Sequence, residues 1–286
     1  MSIEFRGAGR AAHRPGNLVL YIGGGLCLAI AVVLSIAVGA TGISLDALPR
    51  AVKALITASD DPAVLRDRLV LIDVRLPRTL LGMFVGAALA LAGAMMQGMF
   101  RNPLADPALI GVSSGAALAA ITVIALGNSI AAGWTRAFGA YALPVAAFTG
   151  GLVATSILML ITSRRRSIST ATLLLAGIAL AALADSVRGL ISFSSDDREL
   201  RDLTLWLFGS LAGSSWSKVL GIIPFAILLA LSLPRLVRTL NGLLLGEAEA
   251  YHLGVSVEWT KLGIVILTAA AVGAAVAVSG IIGFVG

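Results

Sequence analysis

Apolar residues in this chain run in long blocks, and charged residues gather in the gaps between them. An uncharged stretch extends from Asn17 to Leu45, and its core, Leu18 to Ala40, is long enough to cross about 30 Å of hydrocarbon as a helix. That core exceeds the length of a signal-peptide core, so it reads as an uncleaved first span. Six further blocks follow: Thr79 to Phe100, about Leu109 to Leu126, about Ala137 to Ile161, about Ala171 to Phe193, about Val219 to Leu233, and Leu262 to Ile282. Between the first two, 46–78 is polar and of mixed charge, with Asp60-Asp61-Pro62 as a breaker. Two prolines in the Arg101–Pro107 stretch forbid a continuous helix there. The segment 194–216 begins acidic and turns amphipathic around Trp206 to Leu211. The pattern predicts an all-α polytopic membrane protein with about seven spans, a tail over 1–17 and a polar segment over 234–261.

Composition agrees. Hydrophobic residues make up 58% of the chain, charged residues 13%, and the mean hydropathy is +0.97. Soluble domains carry about 25% charged residues, so this chain lacks the polar surface to be covered by water. The net charge of +6 flanks the apolar blocks and forms no aromatic-interleaved basic stripe, which argues against nucleic acid as a partner. Cys27 is the single cysteine and lies within the first block, where a small packing residue is expected. His13 and His252 are the two histidines, so no buried His pair can hold a metal; Met95, Met96 and Met99 read as packing residues.

Basic residues orient the spans. Arg6, Arg10 and Arg14, then Arg101, then Arg164 to Arg166, then Arg235, Arg238 and Lys261 fall on one side, which predicts a cytoplasmic N-terminus. Asp46, Asp60, Asp61, Asp196, Asp197 and Glu199 fall on the other. Span two contains VGAALALAG from Val85, and span seven contains VGAAVAVSG from Val272. Spans an odd number apart cross in opposite directions, the arrangement of an inverted repeat. If spans two to five are one unit, a second begins near residue 262 with one span of it in the chain. The expectation is therefore of a chain cut before its natural C-terminus and not competent to transport as it stands.

Small residues recur every fourth position at Gly82, Gly86, Ala90, Ala94 and Gly98, and again at Gly177, Ala181, Asp185 and Gly189, stripes that let helices approach closely or line a pore. Asp185 and Arg188, at i, i+3 toward one end of span five, can pair; they read either as a structural pair or as pathway lining. The chain has no GxxxxGK[ST] loop, no HExxH and no series of membrane carboxylates. It is therefore not expected to be an enzyme, and energy would come from another subunit. The segment Leu240–Ala250 reads as a short amphipathic helix ended by Gly254, with a second short turn over Ser256–Lys261; together they form either a knob for a partner or a solvated loop.

RLPRTLLGMFVGAALALAGAMMQGMFRNPLADPALIGVSSGAALAA, from Arg75 to Ala120, resembles the signature of the FecCD-type permeases, and LNGLLLGEAEAYHLGVSVEWTK, from Leu240 to Lys261, resembles their ATPase-coupling segment. SGIIGFVG, from Ser279, resembles the start of a further signature. The resemblance implies the permease of an ABC importer for iron–siderophores, haem or vitamin B12: a homodimer of ten-helix subunits with two ATP-binding subunits inside and a periplasmic binding protein outside. It assigns Arg75 and Arg78 to binding-protein docking. Leu245, Gly246, Glu247, Ala248 and Gly254 fall to ATPase coupling, and Asn102 and Pro103 to the turn between helices two and three. GMFRNPLADP and NGLLLGEAEAYHLGVS resemble the haemin branch most. A secondary carrier is the alternative class; it would need an ion-binding carboxylate, for which Asp185 is the candidate. No cofactor is expected.

Overall fold

A computed structural model describes residues 17–38, 62–162 and 170–283, and every regular element among them is helical. The chain divides into two compact units, Met1–Thr79 and Leu80–Gly286. The basic residues Arg6, Arg10, Arg14 and Arg164 to Arg166, and the acids Asp46, Asp60 and Asp61, lie outside the described residues.

In the first unit, helix α1 (Asn17–Ala37) is apolar on every face, and none of its apolar window is buried. A helix of that kind is stable facing lipid. Cys27 is exposed on it rather than buried as a packing residue. Helix α2 (Pro62–Leu69) follows, then a π-helical turn (Val70–Arg75), then α3 (Leu76–Phe100). Helical structure thus starts well before the expected Thr79. Pro62 stands at the start of the helix, where a proline forfeits only a backbone donor that has no helical acceptor.

The second unit is built around α3. Leu81, Val85, Ala88, Leu89, Ala92, Met95, Met96 and Met99 recur at helical spacing and are all buried, so the methionines are packing residues. At the end of α3, Arg101 takes φ 51°, and the polar turn closes on itself: Leu104 N donates to Asn102 Oδ1 at 2.9 Å and Ala108 N to Asp106 Oδ1 at 2.7 Å. Helix α4 (Val112–Leu126) has 15 residues, about 22 Å, which is short of a full crossing. The expected fourth span is two helices, α5 (Ala132–Phe138) and α6 (Ala142–Thr162), because Gly139 at φ 51° turns the chain between them. Pro144 sits harmlessly in the first turn of α6.

Helix α7 (Thr170–Phe193) matches its expected span. Helix α8 (Asp197–Leu207) starts in a capping box in which Asp196 and Glu199 each bond the other's backbone N–H. Helix α9 (Trp216–Leu244) runs through Pro224 and Pro234, beyond the stop expected at Leu233; apolar helices tolerate proline where their neighbours absorb the kink. Helices α10 (Glu247–His252) and α11 (Val257–Ser279) complete the unit. Six helical stretches among the described residues are long and apolar enough to cross a membrane, with Val112–Leu126 as a shorter apolar helix.

Packing rests on close backbone approach. A Cβ on Gly115 would meet Gly150 O at 2.5 Å, and one on Gly150 would meet Gly115 O at 2.5 Å, so α4 and α6 touch backbone to backbone. Gly177 lies as tightly against the Leu109 carbonyl. The two stripes are only partly used this way. Gly82 and Gly98 pack on Leu211 and Leu240, while Gly86 and Gly189 face open space and Ala90, Ala94 and Asp185 are exposed.

Candidate functional site

The short helix α10 stands between two long ones. Gly246, at φ 126°, ends α9, and Gly254, at φ 80°, reverses the chain toward α11. A side chain at either position would be strained, so the turns need glycine. The amphipathic helix expected over Leu240–Ala250 is therefore broken at Leu245-Gly246, and Ser256–Lys261 is no separate turn but the start of α11. Ala250 is buried under the knob, and Val255 N donates to its carbonyl at 3.0 Å.

The knob exposes large apolar side chains among the charges of Glu249 and Glu258, and it carries an ion pair at its base. Leu244, Leu245, Tyr251, Leu253 and Trp259 are exposed, with Tyr251 at 73% and Trp259 at 74%, and Ala248 is exposed beside them. Tyr251, Trp259, Ala248 and Glu258 line a groove of about 500 Å³. Exposed aromatic side chains around a concave surface mark a binding face.

At the base, Lys261 Nζ lies 2.7 Å from Glu247 Oε1, and Thr170 Oγ1 donates to the same oxygen at 3.2 Å. The Lys261 side chain is 3% exposed and Glu247 45%. Burial pushes the Glu247 carboxyl upward, but the hydrogen bond and charge of Lys261, the hydroxyl of Thr170 and the field of Arg101 outweigh it and hold the group below its ordinary 4.5. The starts of α7, α10 and α11 thus meet at one carboxylate, within the field of Arg101 at the end of α3. Lys261, expected among the basic residues of the inner side, is a buried ion-pair partner. Its place in the first turns of an apolar helix is the sequence signal that could have flagged it.

The other expected residues are scattered. Arg75 is buried, and its Nη1 donates to the carbonyls of Ile36 at 2.6 Å and Ala37 at 3.0 Å. It therefore caps α1 rather than facing outward, because the terminal carbonyls of a helix attract a cation. Arg78, one turn on, is exposed. Asp185 and Arg188 pair at 3.1 Å toward the end of α7 that lies away from Thr170, both partly exposed. Asn102 and Pro103 are exposed in the turn after α3, next to Arg101. An apolar cleft of about 610 Å³ lies among α4, α5, α6 and α7, with Trp134, Leu180 and Val187 in its wall and no charged side chain.

Comparison with known proteins gives this arrangement a context. The profile described as the FecCD transport family matches residues 27–286. The hemin transport system permease protein HmuU of Yersinia pestis is 45% identical over 219 residues, which cover 75% of this chain and 63% of that protein. The cobalamin import system permease protein BtuC of Halobacterium salinarum is 40% identical, covering 74% of this chain and 55% of that one. A vitamin B12 import system permease protein BtuC of Salmonella paratyphi A is 39% identical, covering 77% and 65%. The chain thus spans less than two thirds of the length of these curated relatives. A solved metal-chelate type ABC transporter in an inward-facing conformation superposes with a TM-score of 0.76 at 32% identity, over 92% of this chain and 77% of that one.

Proposed function

Because the chain belongs to the FecCD transport family, we propose that it is the membrane permease subunit of a binding-protein-dependent ABC importer that carries haemin or another metal chelate. The observation that carries the reading is the knob: a short helix held between two glycine turns, with Tyr251 and Trp259 exposed on it and a buried lysine anchoring its base. Such a knob fits a groove on an ATP-binding subunit, which supplies the energy. Leu245, Gly246, Glu247, Ala248 and Gly254 are the coupling residues in this reading. The knob end then faces the cytoplasm with the N-terminus, in the inner membrane of a bacterial cell, and the α8 end faces the binding protein.

Arg78 offers the exposed charge for that binding protein, and Arg75 positions the helix that carries it. A homodimer with two ATP-binding subunits completes the assembly. Asn102, Pro103, Asp185 and Arg188 remain pathway or packing candidates. Haemin is the favoured cargo because the 45% relative is a hemin permease; cobalamin is the runner-up because two of the relatives carry that name. A secondary carrier is disfavoured: Asp185, its candidate ion-binding carboxylate, is already paired with Arg188.

The test is nutritional. A strain lacking its own haemin, siderophore and cobalamin permeases receives the complete gene with an ATP-binding subunit and a binding protein. Growth on haemin as iron source supports the reading; rescue by a siderophore or by cobalamin alone replaces the cargo, and uptake without the ATP-binding subunit overturns the class.

A further inference from the structure

Helix α11 touches both ends of the second unit. At its start, Lys261 holds Glu247 of the knob at 2.7 Å with its own side chain buried. An ammonium so far from water is costly to separate from its carboxylate, so the knob and the start of α11 move together. At its finish, Ser210 N donates to Ser279 O at 2.6 Å. Gly280, at φ 72°, lies against the end of α8: a Cβ there would meet Trp206 O at 2.5 Å and Gly209 Cα at 2.9 Å. Gly209, at φ 65°, lies as close to the Ile281 carbonyl. The two glycines let the segment after α8 and the segment after α11 meet backbone to backbone.

Between these joints α11 is built to be stiff. Its 23 residues span about 35 Å and contain no proline. Its apolar window is 61% buried, more than that of any other long apolar helix among the described residues, and it packs on α6 and α9. Helix α9 also leaves the knob but holds Pro224 and Pro234, each of which removes a helical hydrogen bond and permits bending.

We propose that α11 is the rod that ties the knob to α8, with Lys261 as the positioning residue at one end and Gly280 at the other. In a membrane, a shift of the knob then reaches α8 across the full thickness of the bilayer. The proposal deepens the knob's reading as a coupling element, but its test needs no ATP-binding subunit.

The full chain in lipid nanodiscs is examined by amide hydrogen exchange. Linkage between two ends is reciprocal, so loosening either joint must change the other end. Lys261→Met is expected to raise exchange in 197–207 by about fivefold or more, with 132–138, which packs on neither α8 nor α11, unchanged, and Lys261→Arg to restore the parent rate. Gly280→Ala is expected to raise exchange in 247–252 to a similar degree. Should Lys261→Met fail to fold, Glu247→Gln loosens the same joint and takes its place. Far-end exchange that stays at the parent rate, or a rise of equal size in 132–138, overturns the proposal. Binding of an ATP-binding subunit, measured separately on the same variants, bears on the knob's reading and not on this one.

Discussion

Glu247 sits where burial and charge oppose each other, and charge prevails. Its carboxyl titrates below 4.5 in the folded chain, so the pair with Lys261 stabilises the fold fully above that pH and the contribution is lost as pH falls through the lowered value. Thermal unfolding followed from pH about 6 to about 3 should show an acid-side loss that Glu247→Gln removes. A profile identical in the variant would contradict this. Arg75 and Arg78 should also separate. Arg75→Ala uncaps α1 and should cost about 2 kcal/mol, since it removes two charged hydrogen bonds. Arg78→Ala should leave stability within about 0.5 kcal/mol and weaken only association with a binding protein. The sequence distinguished neither arginine: both belong to one RLPR motif, and only the π-helical turn before α3 turns the first inward. The bond between Glu247 and Lys261 was equally hidden, because it depends on the chain reversing at Gly254.

Among the elements, the apolar blocks were legible because a membrane helix must satisfy its backbone internally and so has few forms to choose from. Their ends were not. The polar stretch from Pro234 suggests a stop at Leu233, yet Pro234 is carried inside α9; proline excludes a hydrogen bond, not a helix. Gly139 and Gly246 were the actual interruptions, through φ values that sequence alone does not reveal. The α4–α6 crossing was missed because a periodic stripe drew attention to Gly86 and Ala90, while Gly115 and Gly150 make the contact. Gly150→Val should destabilise the fold by about 1–3 kcal/mol in a chemical-denaturation assay, and Gly86→Ala should be near neutral. Asp196→Ala, which breaks the capping box of α8, should cost about 1 kcal/mol and raise hydrogen exchange in that helix first.

At the scale of the whole molecule, membrane class followed from composition, and the long motifs after Arg75 carried the family. The geometry adds a knob that exposes Leu245, Tyr251, Leu253 and Trp259 among the charges of Glu249 and Glu258, and whose base gathers three helix starts on one carboxylate in the field of Arg101. The central claim is that this knob receives work from a separate ATP-hydrolysing subunit. The most direct measurement is assembly in detergent with a co-expressed ABC-type ATP-binding subunit, comparing the parent chain with Ala248→Asp, a substitution that places a charge on the exposed face of α10. The account predicts a stable complex with vanadate-sensitive ATP hydrolysis for the parent, and loss of the complex for the variant with the fold intact. A complex that forms equally well with Ala248→Asp, or a parent chain that moves haemin without any ATP-binding subunit, would contradict it.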